Sequence, residues 1–349
     1  MKRNLLHLFV ALIFVTTACD SNNSDSKTTL SGVFVLNEGN FGQANASITA
    51  YSPETKEVSQ NRYEDENGAP IGDVLNSATE IDGRLYFVVN NSHKIEVVDK
   101  ESLTKIATIR IADEASPRQL AKVTDSKAYV TNLYGNSVSV INLETNKVDG
   151  TISVGSNPEG IAVVGSRAYV TNSGFGSGNT ISVINTETDK VINTITVADN
   201  PGSILKDSSD RLWVVCVGSY GDYTNPDDNG TPGEIYVING STGEKITSFE
   251  VGGHPGDLVL NDRDDIAYLI NGTVMSIDMN SFAILNSTFI NRNFYSLGLS
   301  TSDEGQYLWG GDAKNFAQAG LAIQYELNGT KIDSFPTGII PGAFYFSAE

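Results

Sequence analysis

The sequence predicts an all-β chain closed into a seven-bladed β-propeller. Three observations predict it. A strand-rich unit of a little over 40 residues recurs along the chain, proline-bearing turns separate successive units, and the two chain ends supply complementary parts of one unit. Composition agrees: 33 glycines and short alternating runs of Val, Ile, Thr and Tyr suit many strands joined by tight turns. With 40% hydrophobic and 19% charged residues, the body reads as folded rather than disordered.

The unit is clearest in two neighbouring segments. Ser126–Asn132, Gly135–Asn142 and Glu144–Val148 match Ser166–Asn172, Gly178–Asn185 and Glu187–Val191 almost residue for residue. Each reads as strand, loop, alternating strand, polar turn and strand. Looser copies place an aromatic at Phe34, Tyr86, Tyr129, Tyr169, Trp213, Tyr268 and Tyr307, which makes seven units. These rings are expected in the core between units rather than on a ligand. Pro70, Pro117, Pro158, Pro201, Pro255 and Pro341 mark the junctions, and only the one near Arg292 lacks a proline. Proline is tolerated where a strand begins, because its missing N–H has no ladder partner there.

Each unit therefore reads as an inner strand a, then b, c and an outer strand d. The first unit starts directly at strand b, Gly32–Asn37, while the C-terminal Ala343–Ser347 is a strand without a unit. Pairing the two closes a ring and removes exposed sheet edges. The units resemble the YVTN family of β-propeller repeats, named for the tetrapeptide at Tyr129–Asn132 and Tyr169–Asn172. The resemblance spans essentially the whole body and implies a propeller fold. Propellers host many activities, so it does not imply one function.

Residues 1–18 read as a signal peptide, with basic Lys2 and Arg3 before an apolar stretch from Leu5 to Val15. That stretch is too short to span a membrane, which takes about 20 residues. Thr16-Thr17-Ala18-Cys19 resembles the lipobox of bacterial lipoproteins, with Thr16 where Leu or Val is usual. The expectation is lipidation at Cys19, a polar tether over 19–31 and a propeller over 32–349. The alternative is a secretory signal with an incidental cysteine. Cys216 is then the one thiol of the body, so no internal disulfide is possible, and its strand-like run predicts a buried, inert group. The formal charge of −19, or −21 without Lys2 and Arg3, disfavours nucleic acid and anionic lipid as partners.

No catalytic constellation is legible. The body holds only His93 and His254, which are weak candidates for a propeller lyase, and too few His and Cys for a zinc site. Two tryptophans, Trp213 and Trp309, are too few for the repeated-tryptophan quinone propellers. The expectation is a non-enzymatic protein that requires no cofactor and no metal. The acidic loop 222–230 has calcium-type ligands, but its spacing matches no EF-hand, and turn-forming residues explain it better.

Insertions carry the functional signal, because the b–c and d–a loops leave one face of a propeller, its top. Enlarged b–c loops are read at 38–45, 173–178, 218–234 and 310–322, with a long d–a loop from Tyr63 to Ser77. Candidate ligand-binding residues on them are Glu38, Asn40, Phe41, Asn45, Tyr134, Phe175, Tyr220, Tyr223 and Phe316, with Asn179, Asn225 and Asn315 nearby. Aromatics beside amides suit a flat, partly apolar ligand rich in hydrogen-bonding groups, or a protein patch. Rings folded back onto their own loops are the bland alternative.

One segment is more specific. Val35–Gly42 with Asn45–Tyr51, and later Asn67–Asp73, resemble the opening of the BtuG-type surface lipoprotein propellers of Gram-negative bacteria. That resemblance implies capture of cobalamin and delivery to a TonB-dependent outer-membrane transporter. It also implies a lipid-anchored place in the outer membrane, at the cell surface or facing the periplasm. A propeller scaffold that binds protein or glycan is the alternative.

Overall fold

The structure, a computed structural model, describes residues 32–347 except 222, 223, 225–228, 303 and 304. The signal segment, Cys19, the tether, Tyr223 and most of the acidic loop lie outside the described residues.

Seven four-stranded antiparallel sheets follow one another along the chain. The inner strands a of blades 1 to 7 are Pro341–Ser347, Leu75–Ile81, Pro117–Lys122, Pro158–Val164, Pro201–Lys206, Leu258–Leu260 and Ser296–Ser302. The b strands are Gly32–Asn37, Arg84–Val89, Lys127–Asn132, Arg167–Asn172, Arg211–Cys216, Ile266–Asn271 and Gly305–Asp312. Blade 1 takes its inner strand from the C-terminus: Phe344, Tyr345 and Phe346 pair with Val35, Phe34 and Val33. The ring closes as the two ends predict.

Seven apolar clusters fill the ring, one between each pair of adjacent blades. Strand alternation explains this arrangement, since successive side chains point to opposite faces. On blade 3, Tyr129 enters the cluster shared with blade 4, while Val130 enters the one shared with blade 2. Both faces of the b strands are therefore buried, and those strands become nearly continuous apolar runs. Every repeat aromatic packs toward the following blade, and all but Tyr307 are buried.

The tetrapeptide is scaffold in each of its positions. The Tyr129 hydroxyl donates to Asp189 in the outer turn of blade 4, and Tyr169 donates to the Gly240 carbonyl of blade 5 at 2.8 Å. Thr131 and Thr171 donate to the Glu159 and Gly202 carbonyls of the next inner strand at 2.7 and 2.6 Å. Asn132 and Asn172 donate to hydroxyls of their own strand c. Tyr and Thr thus tie neighbouring blades together, and Asn braces its own sheet.

All six prolines stand at blade junctions: Pro117, Pro158, Pro201 and Pro341 open inner strands, and Pro70 and Pro255 precede theirs by a few residues. Two expectations need correction. The loop expected over 310–322 shrinks to 313–318, because strand pairing runs to Asp312↔Leu321. The expected d–a loop from Tyr63 begins in a helix, Arg62–Asn67, flanked by left-handed Asn61 and Gly68. Burial of Tyr63 between blades 1 and 2 holds that helix in place. Among the described residues no helix is long and apolar enough to cross a membrane.

Candidate ligand-binding face

Side chains exposed to solvent are sorted by chemistry. Among the described residues the large exposed aromatics are Phe41, Tyr134, Phe175, Tyr220, Tyr295 and Phe316, between 41% and 68% exposed. All six lie on b–c or d–a loops, that is, on the top face. The large exposed aliphatics, such as Ile106, Ile192, Ile246 and Leu285, all lie on outer strands d. Blades 1, 3, 4, 5 and 7 each contribute a b–c aromatic, and Tyr295 enters from the d–a connection before blade 7.

The structure brings most of the candidate residues together in pairs. Tyr134 meets Phe175 at 5.6 Å between ring centroids, Tyr295 meets Phe316 edge-on at 5.6 Å, and Tyr220 lies on His254 at 3.9 Å. Among the described residues Phe41 has no ring contact of this kind, and it is the most exposed of the six. The rings lean on neighbouring loops while keeping a free surface. Phe175 sits at φ 52°, a costly left-handed conformation for an aromatic residue.

The amide candidates shape the loops. The Asn40 backbone N–H donates to Asn45 Oδ1 at 2.7 Å, and Asn40 Nδ2 donates to the Phe316 carbonyl at 2.7 Å, joining the loops of blades 1 and 7. Asn315 Oδ1 accepts from the backbone of Ala317 and Gln318, closing the turn that carries Phe316. Asp73, absent from the candidate set, clamps the same region. Its Oδ2 accepts from the Gly42 N–H at 2.9 Å and from Asn91 Nδ2 at 2.7 Å. Asp73→Ala is expected to cost about 1–3 kcal/mol and to free the Phe41 loop. Limited proteolysis within 38–46, faster in the variant, would report that loosening.

Glu38 leaves the loop and turns inward. Its carboxylate accepts from the Tyr295 hydroxyl at 3.1 and 3.2 Å, and it packs over Gly342, where any Cβ would come within 2.7 Å of it. Burial pushes the Glu38 carboxyl upward, against the lowering charge of Arg118 and the Tyr295 hydrogen bond. Arg118 donates from Nε to Glu159 at 2.6 Å. Glu38 and Tyr295 come from blades 1 and 7, Arg118 and Glu159 from blades 3 and 4. The two pairs interact electrostatically, so they converge on the propeller axis.

Asp257 stands between blades 6 and 7. Its carboxylate accepts the Leu258 and Leu297 N–H groups, each at 2.9 Å, bridging blades 6 and 7. Burial pushes its pKa up to about 6 from 3.8, opposed by those two hydrogen bonds. A folded pKa above the unfolded one gives stability that is complete below about pH 4 and lost as pH rises through 6. The wild-type melting temperature should therefore fall between about pH 4 and 6.5, with on the order of 2–3 kcal/mol at stake. Asp257→Asn should flatten that segment of the profile. Glu80 and Asp333, whose carboxyls are held low chiefly by hydrogen bonds from Lys100 and Tyr51, contribute the opposite slope only at more acidic pH.

Beside Tyr134, Asn91, His93, Glu114 and Ser116 line an open groove of about 280 Å³. His93 Nδ1 accepts from the Ser116 N–H at 3.2 Å, so its remaining proton sits on Nε2 when the ring is neutral. His254 lies apart from this groove, its Nδ1 bonded to the Val217 carbonyl at 3.0 Å. It lacks the left-handed conformation of Asn157 and Asn200, its counterparts in the repeat, because Gly252 and Gly253 make that turn instead. Cys216 is fully buried, and burial raises its thiol to about 12, which makes it inert at neutral pH. Among the described residues no three His, Cys, Asp or Glu side chains are grouped to hold a metal ion.

Tyr295, Arg118, Glu159 and Asp73 were not in the sequence-derived set. Arg118 and Glu159 each follow a junction proline directly, in a slot that is glycine after Pro201, Pro255 and Pro341. That contrast is the signal that could have found them.

A family model described as "Domain of unknown function (DUF5074)" matches residues 31–219. No curated protein matches the chain. Among solved structures, hydrazine synthase of Kuenenia stuttgartiensis superposes with a TM-score of 0.60 at 18% identity, covering 74% of this chain and 85% of that one. Two provisionally named 6-phosphogluconolactonases also superpose, each with a TM-score of 0.65. The one from Bacteroides uniformis is 12% identical, over 90% of this chain and 98% of its own. The one from Bacteroides fragilis is 13% identical, over 92% and 99%. At these identities the likeness is one of fold.

Proposed function

The chain belongs to the DUF5074 family, and we propose that its propeller is a capture scaffold whose top face binds a flat, amide-rich small molecule, a corrinoid of the cobalamin type. The observation that carries this reading is the confinement of all large exposed aromatics among the described residues to one face. Exposed rings gathered on one surface mark interaction sites, since each offers apolar area at little entropic cost. A corrin has apolar faces for such rings and a rim of amides for the polar groups between them. The charge of −19 gives no help with an anionic ligand, so ring and amide contacts would supply the affinity.

The opening-blade resemblance supports the same ligand, and with the Cys19 pattern it supports a lipid-anchored protein of the outer membrane. In this reading the captured corrinoid passes to a TonB-dependent transporter, and no chemistry is done on it. Equilibrium dialysis of cyanocobalamin against micromolar purified protein tests the proposal. Saturable one-to-one binding is expected. An unchanged cobalamin spectrum and no retained ligand would overturn it, and a crosslinked protein or glycan partner would then favour the scaffold alternative.

A further inference from the structure

The polar cluster on the propeller axis has a composition that selects among ligands. Arg118 and Glu159 occupy the same register on adjacent inner strands, and Glu38 and Tyr295 reach them from the opposite side. Among the described residues the Arg118 hydrogen bond is the one from Nε to Glu159, and its terminal amino groups have no acceptor. Asn76 holds the corresponding register on blade 2, between Glu38 and Arg118 in ring order, and its buried Oδ1 has no donor. Tyr295 and Asn40 connect this cluster to Phe316 on the top face, so it forms the floor of the aromatic ring.

Charge decides what the floor accepts. Glu38 and Glu159 face one cation, Arg118. A phosphate or carboxylate would meet more repulsion than attraction there. A metal ion would lack the three grouped ligands it needs. A group that both accepts from Arg118 and donates to carboxylate or amide oxygens satisfies every open partner.

We propose that the axial floor is an anchor for a neutral primary carboxamide. Its carbonyl accepts from the terminal amino groups of Arg118, and its NH₂ donates to the carboxylate and amide oxygens around it. The anchor rests on the top face being the ligand face, and it is the polar complement of the aromatic ring above. It would orient an amide-bearing ligand by one edge, while the aromatics hold its flat surface.

Nicotinamide and nicotinate form a matched probe pair, alike in ring and differing in amide against carboxylate. They are titrated at pH 7.5 into protein labelled with [¹⁵N]arginine, and the Arg118 Nε–H resonance is followed by NMR. Nicotinamide should shift that resonance saturably, nicotinate should bind at least ten-fold more weakly, and Arg118→Met should abolish the nicotinamide response at tyrosine and backbone resonances of the site. Glu38→Gln, which keeps the side chain's shape and stands even if the arginine variant does not fold, should narrow the preference at least three-fold. Equal or tighter nicotinate binding, shifts that bypass Arg118, or no saturable binding of either probe overturns the anchor. Success here with failed cobalamin dialysis would overturn the corrinoid alone.

Discussion

Deleting residues 341–347 is expected to abolish cooperative folding of the whole propeller. The segment is the inner strand of blade 1, paired with Gly32–Asn37. It carries Phe344 and Phe346, stacked on each other at 6.0 Å and contacting Trp309 at 6.4 and 6.2 Å, and Tyr345 against Phe34 at 5.9 Å. Three partly buried aromatics at about 2 kcal/mol each and a lost ladder at several more come to about 10 kcal/mol. That is the size of a domain's whole stability, about 5–15 kcal/mol. Circular dichroism melting should show no cooperative transition, and the synthetic peptide 341–347 added in trans should restore one. A sharp native-like melt in the deletion would contradict the closed ring.

Stripping the top face should do the converse, leaving the fold and removing the function. Tyr134→Ser with Phe175→Ser removes one contacting pair, and Phe41→Ser and Phe316→Ser remove two further rings. Exposed residues of this kind seldom change stability by more than about 0.5 kcal/mol. Aromatic anchors at a binding surface are commonly worth about 2 kcal/mol or more apiece. The quadruple variant should melt within a few degrees of wild type, and its cobalamin affinity should fall by at least about 100-fold. An isothermal titration on both proteins reads the two effects together. Retained affinity would move the site away from these loops.

The fold was legible because one interface repeats seven times. Each b strand must bury both faces between blades, so its apolar run and aromatic recur, and ring closure follows from two incomplete ends. The aromatic part of the candidate site was legible for the opposite reason: Phe41, Tyr134, Phe175 and Phe316 interrupt polar loops where the repeat asks for none. Of the axial part only Glu38 was. Glu38, Tyr295, Arg118 and Glu159 lie on four blades, and only closure of the ring brings them into one field. Loop lengths were misread where glycine serves packing. Gly310 and Gly311 look like a turn but are paired strand, because a Cβ would strike the Phe294 ring at 2.5 Å and Ser296 Oγ at 2.4 Å. The helix at Arg62–Asn67 was hidden for a related reason, since its one buried anchor, Tyr63, sits among charged residues.

Hydrogen–deuterium exchange with and without saturating cyanocobalamin tests the central claim, capture on the top face, most directly. Protection is predicted in 38–46, 133–136, 173–179, 291–295 and 313–318, with outer strands such as Lys190–Thr196 and Ala283–Ile290 unchanged. Protection confined to the outer strands, or none in the aromatic loops at saturation, would contradict it.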